Sequence, residues 1–164
     1  MRLALLIATA ILALPAPATS APPTAGVLVP GRSLGALRLG IGKAQVERAW
    51  GRAYGICGNC SRETWYFNYF AFQPRGVGVE FRAGRAVALF TLHSPTGWHT
   101  PKGLTVGDGA AEVTALYGPL QRIGCDGYYA LVLERRGSRT AFYVLRERLW
   151  AFGLSRTAVP ICRR

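Results

Sequence analysis

Carboxylates are scarce in this chain: eight Asp and Glu residues stand against twenty basic ones. Glu63, Glu80, Glu134 and Glu147 fall in strand-like or turn-like stretches, each with an Arg nearby, which reads as salt bridging. No pair has the spacing that two-carboxylate hydrolysis needs. Histidine is scarcer still. His93 and His99 flank the polar stretch Ser94 to Trp98, and they could share a metal only if that loop folded back. Ser94 with either His and with Asp108 or Asp126 makes no hydrolase triad, because no G-x-S-x-G and no strand-to-helix elbow surrounds it. Gly40-x-Gly42 lacks the third glycine of a dinucleotide loop and precedes a helix of only about eight residues. These absences exclude the common catalytic and cofactor arrangements. The expectation is a protein that is not an enzyme and carries neither cofactor nor metal.

Long apolar runs are also missing, with one exception. Leu3 to Leu14 is apolar except for Thr9, follows Arg2, and leads into the Pro- and Ala-rich stretch Pro15 to Pro23. That is the layout of a secretory signal peptide, and the run falls well short of the roughly 20 residues a spanning helix needs. Small residues at Ala16, Ala18 and Ser20 place cleavage between Ala18 and Ala21. No Cys follows the run, so the lipoprotein route is closed. The reading is a signal peptide over 1–20, a Pro-rich flexible leader over 21–31, no transmembrane segment after signal removal, and a secreted or extracytoplasmic product.

What the chain does contain is an internal similarity. Leu39 to Gly51 (LGIGKAQVERAWG) aligns on Val106 to Gly118 (VGDGAAEVTALYG) at a constant offset of 67, with five of thirteen positions identical. Val46, Ala49 and Trp50, like Val113, Leu116 and Tyr117, fall at i, i+3, i+4 and make one apolar stripe on a short helix. Such a helix is unstable alone and must dock on something. Strand-like runs follow each copy: Glu63 to Phe70, Gly76 to Arg82 and Arg85 to Leu92, then Tyr128 to Glu134, Thr140 to Leu145 and Arg148 to Ser155. Shorter strands are expected around Tyr54 to Cys57 and Leu120 to Cys125. The expected fold class is α+β, with two tandem units, each a short helix packed on a three- to four-stranded antiparallel sheet. The units span 32–93 and 104–164, the second with a C-terminal tail, joined by a connecting loop over 94–103.

Four cysteines, Cys57, Cys60, Cys125 and Cys162, lie in the exported part, and an even number in an oxidising compartment argues for two disulfides. Three pairings exist. Cys57 with Cys60 is favoured because the two can meet across a turn, which leaves Cys125 with Cys162. A redox centre at Cys57-Gly58-Asn59-Cys60 is the sharper alternative, but strand-like residues follow Cys60 where a helix would be needed to stabilise a thiolate. A four-sulfur zinc site has only one C-x-x-C to draw on.

The motif L-x-L-G-h-x-x-x-x-V-x-x-x-W-G, followed by aromatic strands and x-G-R-h-h-x-h, resembles the repeat of secreted β-lactamase-inhibitor-type proteins. It is also similar to the SmpA/OmlA lipoprotein domain. Leu37, Leu39, Gly40, Val46, Trp50, Gly51, Gly84 and Arg85 carry it, and again Leu104, Val106, Gly107, Val113, Tyr117 and Gly118. The resemblance implies tandem helix-on-sheet units that work by protein binding, without catalysis.

Two functional readings follow. The aromatics around Trp65, Phe67 and Tyr69, and those at Tyr129, Tyr143 and Trp150, are dense enough to leave one sheet face exposed among Arg residues as a surface for another protein. The alternative takes its lead from the charge: eighteen of the twenty basic residues are Arg, densest at Arg135, Arg136, Arg139 and at Arg146, Arg148. A basic envelope protein associating with anionic wall or lipid polymers would need such a surplus, although a GC-rich genome also enriches Arg. Nucleic acid is not an expected partner of an exported chain.

Overall fold

Runs of alternating burial set the strands of this protein, whose computed structural model describes residues 23–70, 73–92 and 97–163. The signal peptide and the start of the leader, the pair at 71–72 and His93 to Thr96 lie outside the described residues, as do the side chains of 68–75. In chain order the elements are β1 (Ala25–Val29), β2 (Ser33–Leu34), α1 (Lys43–Trp50), β3 (Gly55–Ile56), β4 (Glu63–Phe70), β5 (Gln73–Arg82) and β6 (Arg85–Leu92). They continue with β7 (Gly97–His99), α2 (Ala110–Tyr117), β8 (Gln121–Gly124), β9 (Tyr129–Arg135), β10 (Ser138–Leu145) and β11 (Arg148–Arg156).

Eight of these strands form one antiparallel sheet in the order β3-β4-β5-β6-β11-β10-β9-β8. This corrects the expectation of two tandem helix-on-sheet units: the protein is mostly β, built on one continuous sheet. The joint is β6 against β11, with Leu89 opposite Leu154 and Phe90 opposite Gly153. Each strand read as the last of its own unit offers an unpaired backbone edge, and pairing the two satisfies both. The buried residues on the helix side likewise form one cluster, in which Val46, Phe67 and Leu89 pack in the same core as Val113, Phe142 and Phe152.

Both helices lie where the apolar stripes predict. Val46 and Trp50 are buried on α1, Val113 on α2, and Trp50 meets Phe67 edge-on at 5.5 Å between ring centroids. Gly51 and Gly118 end the helices at φ 84°, ψ −175° and φ 82°, ψ −173°. Those angles belong to a region essentially reserved for glycine, extended and not left-handed helical. The same backbone contacts seat each helix. Gly40 N–H donates to Ala86 O and Gly107 N–H to Leu149 O, both at 2.7 Å. Arg85 Nη1 donates to Gly40 O at 3.4 Å, and Arg148 Nη1 to Gly107 O at 3.0 Å.

A small second sheet, β2-β1-β7, was not expected. Within the stretch read as flexible leader, Ala25–Val29 forms β1, which pairs antiparallel with β2 and parallel with β7. Trp98 of β7, in the stretch read as a connecting loop, is fully buried beside Leu28 and Leu34. This sheet closes the helix side of the core.

Candidate functional site

The aromatics proposed as a binding surface do not share one. Trp65, Phe67 and Tyr129 sit in the helix-side core. Tyr54 stacks on Trp65 at 3.9 Å. Tyr129 donates its hydroxyl to Glu147 Oε2 at 2.9 Å, and burial, with that carboxylate beside it, pushes its pKa up. Tyr143 projects from the opposite face and is 1% exposed. Trp150 is half-buried there against Tyr128 and Tyr143. Tyr69 lies on β4, its side chain outside the described residues. Trp65 and Phe67, two residues apart on β4, share the helix side as strand alternation requires, but alternation carries no information about what covers the other side.

The chain's own C-terminal tail supplies much of that cover. Tyr143 donates to Ile161 O and Tyr128 to Arg163 O, both at 2.8 Å. Arg139 Nη2 donates to Thr157 O at 2.6 Å. Arg163 pairs with Glu80, which Arg62 also reaches at 2.9 Å, and its guanidinium lies 5.0 Å from the Phe90 ring. Burial raises the pKa of Tyr128 and of Tyr66 on this face.

The four cysteines form two disulfides, Cys57–Cys60 and Cys125–Cys162, the favoured pairing. The second anchors the tail. Cys60 leads directly into β4, so no helix follows it.

Register gathers the arginines, and sequence position does not reveal it. Arg82 is opposite Arg85 at the β5–β6 turn. Ser138 is opposite Arg156 on one side and Arg135 on the other, with Arg136 in the turn between β9 and β10. Because Ser155 pairs with Ala88, all of these strand ends fall at the same end of the sheet. Two loops bring more. Gly31 N–H donates to Thr140 Oγ1 and Gly31 O accepts from Ser138 Oγ, placing Arg32 beside β10. The Gly40 backbone, bonded to Ala86, places Arg38 beside β6.

Arg32, Arg38, Arg82, Arg85, Arg135, Arg136 and Arg156 are all exposed. Among the described residues none of the seven is paired with a carboxylate. Three acids lie at this end. Glu80, in one row with Glu134 through Ala88, Ser155 and Arg139, is taken up by Arg62 and Arg163. Glu134 is opposite Arg139, and Glu63 is held by Lys43 at 2.6 Å, a bond that lowers its pKa. At the opposite end Arg146 and Arg148 lie in the turn and bridge region that also holds Asp108, Glu112 and Glu147. Strands β5, β6, β11, β10 and β9 present the arginines as a row about 20 Å long, at about 4.8 Å per strand.

Among the described residues no helix is long and apolar enough to cross a membrane, and no cluster of three metal-ligating side chains occurs. No protein-family model matches the chain, and no curated protein matches it. Two solved structures resemble it. One is an extracellular protein containing an SCP domain from Bacillus anthracis str. Ames, with TM-score 0.54 and 10% identity over 73% of this chain and 44% of that one. The other is a DUF4309 family protein (YjgB) from Bacillus subtilis subsp. subtilis str. 168, with TM-score 0.52 and 12% identity over 71% of this chain and 78% of that one. This chain spans less than half the length of the first. Neither carries the inhibitor-type or SmpA/OmlA name, and at these identities the likeness is one of fold. Two disulfides using all four cysteines are consistent with an extracytoplasmic protein.

Proposed function

We propose that this chain is a non-enzymatic, extracytoplasmic basic protein that associates with anionic polymers of the cell envelope through the arginine-rich end of its sheet. The observation carrying this reading is the row of seven exposed arginines without carboxylate partners, gathered at one end of the sheet. Guanidinium groups suit the task because their planar forks match phosphate and carboxylate geometry. A single-sign row also raises the local concentration of a polyanion. The test is binding of the full chain to a linear polyanion such as polyphosphate across ionic strength. Binding should fall steeply as the Debye length shrinks from about 10 Å at 0.1 M salt toward about 3 Å at 1 M. Binding indifferent to salt would overturn the reading.

A protein partner is the second reading, supported by the half-buried Tyr66, Tyr128 and Trp150 near Arg62 on the face away from the helices. It draws on a different surface, so a Trp150→Ala substitution that weakened partner binding while leaving polyanion binding intact would favour it.

A further inference from the structure

The arginine row ends beside a cavity of about 250 Å³ lined by Pro30, Pro101, Lys102, Tyr117, Leu133 and Arg135. Arg135 belongs to both. The walls are of two kinds. Pro30, Pro101 and Leu133 supply an apolar surface, while Lys102 and Arg135 supply positive charge. Lys102 donates one N–H to Leu116 O at the C-terminal end of α2 and lies 4.9 Å from the Tyr117 ring centroid, which leaves ammonium protons for a ligand. The Tyr117 ring rests on Phe142 at 4.9 Å. Its hydroxyl is buried and has no hydrogen-bond partner. Alternation turns Glu134, between Leu133 and Arg135, to the other side of β9.

We propose that this cavity binds one anionic sugar unit, a pyranose ring carrying a carboxylate, as the end subsite of the arginine row. The volume lies below the range of about 300–1,000 Å³ typical of pockets for larger ligands, which suits a single ring. The C–H face of the ring packs on Pro30, Pro101 and Leu133. Its carboxylate meets Lys102 and Arg135, and the Tyr117 ring forms part of the wall. The inference rests on the envelope-polymer reading and names a repeat unit for that polymer.

Titration calorimetry of the full chain with glucuronate, glucose and inorganic phosphate tests it. Glucuronate should bind at least about tenfold more tightly than glucose, which lacks the charge, and than phosphate, which lacks the ring. Arg135→Gln, at an exposed position, should weaken glucuronate with the fold intact. Phosphate binding as tight as glucuronate, or an Arg135→Gln affinity equal to wild type, would overturn the proposal. The two claims fail separately. A flat glucuronate titration with intact polyphosphate binding removes the subsite and leaves the arginine row, whereas glucuronate binding without polymer binding supports the cavity as a site and removes the polymer reading.

Discussion

Glu63 holds the start of α1 to β4, accepting from Lys43 Nζ at 2.6 Å and from Trp65 Nε1 at 2.9 Å. The lysine bond is the main reason its folded-state pKa is lowered. A lowered folded pKa stabilises the protein fully above the unfolded value of about 4.3, and this contribution disappears as pH falls through the folded value. Both side chains are more than a third exposed, so the effect should stay below about 1 kcal/mol. Denaturant melts from pH 6 down to pH 2 should therefore show a shallower acid loss for Glu63→Gln than for wild type, and parallel curves would count against the pairing. Gly78 is a harsher case. A Cβ there would sit 2.4 Å from the Phe90 ring, so Gly78→Val should cost about 1–3 kcal/mol in an equilibrium unfolding experiment. Individual residues were legible where local spacing decides their role: the helix stripes and the Cys57–Cys60 turn. Tyr143 was not, because its burial depends on Ile161 and Arg163, which lie far from it in sequence but close in space.

At the level of elements, the long strands and both helices could be read from periodicity, while strand neighbours could not. Alternation says which side of β6 is buried and is silent on which edge it pairs with. The short strands β1, β2 and β7 escaped because two to five residues carry too little pattern. The tail makes the clearest prediction here. Cys125–Cys162 spans 37 residues and restricts the unfolded chain by about 4 kcal/mol, whereas Cys57–Cys60 spans 3 and should contribute less than half as much. Cys125→Ser with Cys162→Ser should lower the unfolding free energy well beyond Cys57→Ser with Cys60→Ser. Hydrogen exchange should also quicken at Ile161 to Arg163. Equal losses in the two double mutants would mean that the tail is held mainly by Tyr128, Tyr143 and Glu80.

For the whole molecule, net charge is a property of composition, but its distribution is a property of topology. The chain's formal charge of +12 has no direction until β6 pairs with β11. That pairing sets the β5–β6 and β9–β10 turns at one end, and the seven arginines with them. The most direct test compares two double substitutions that remove the same charge from opposite ends: Arg85→Gln with Arg156→Gln, and Arg146→Gln with Arg148→Gln. Arg148 makes the same carbonyl contact as Arg85, so each double substitution removes one equivalent local bond. At about 1 kcal/mol per arginine near an anionic surface, the first pair should weaken polyphosphate binding tenfold or more and flatten its salt dependence, with the second staying close to wild type. Equal losses at both ends would contradict the account, because net charge alone would then govern binding.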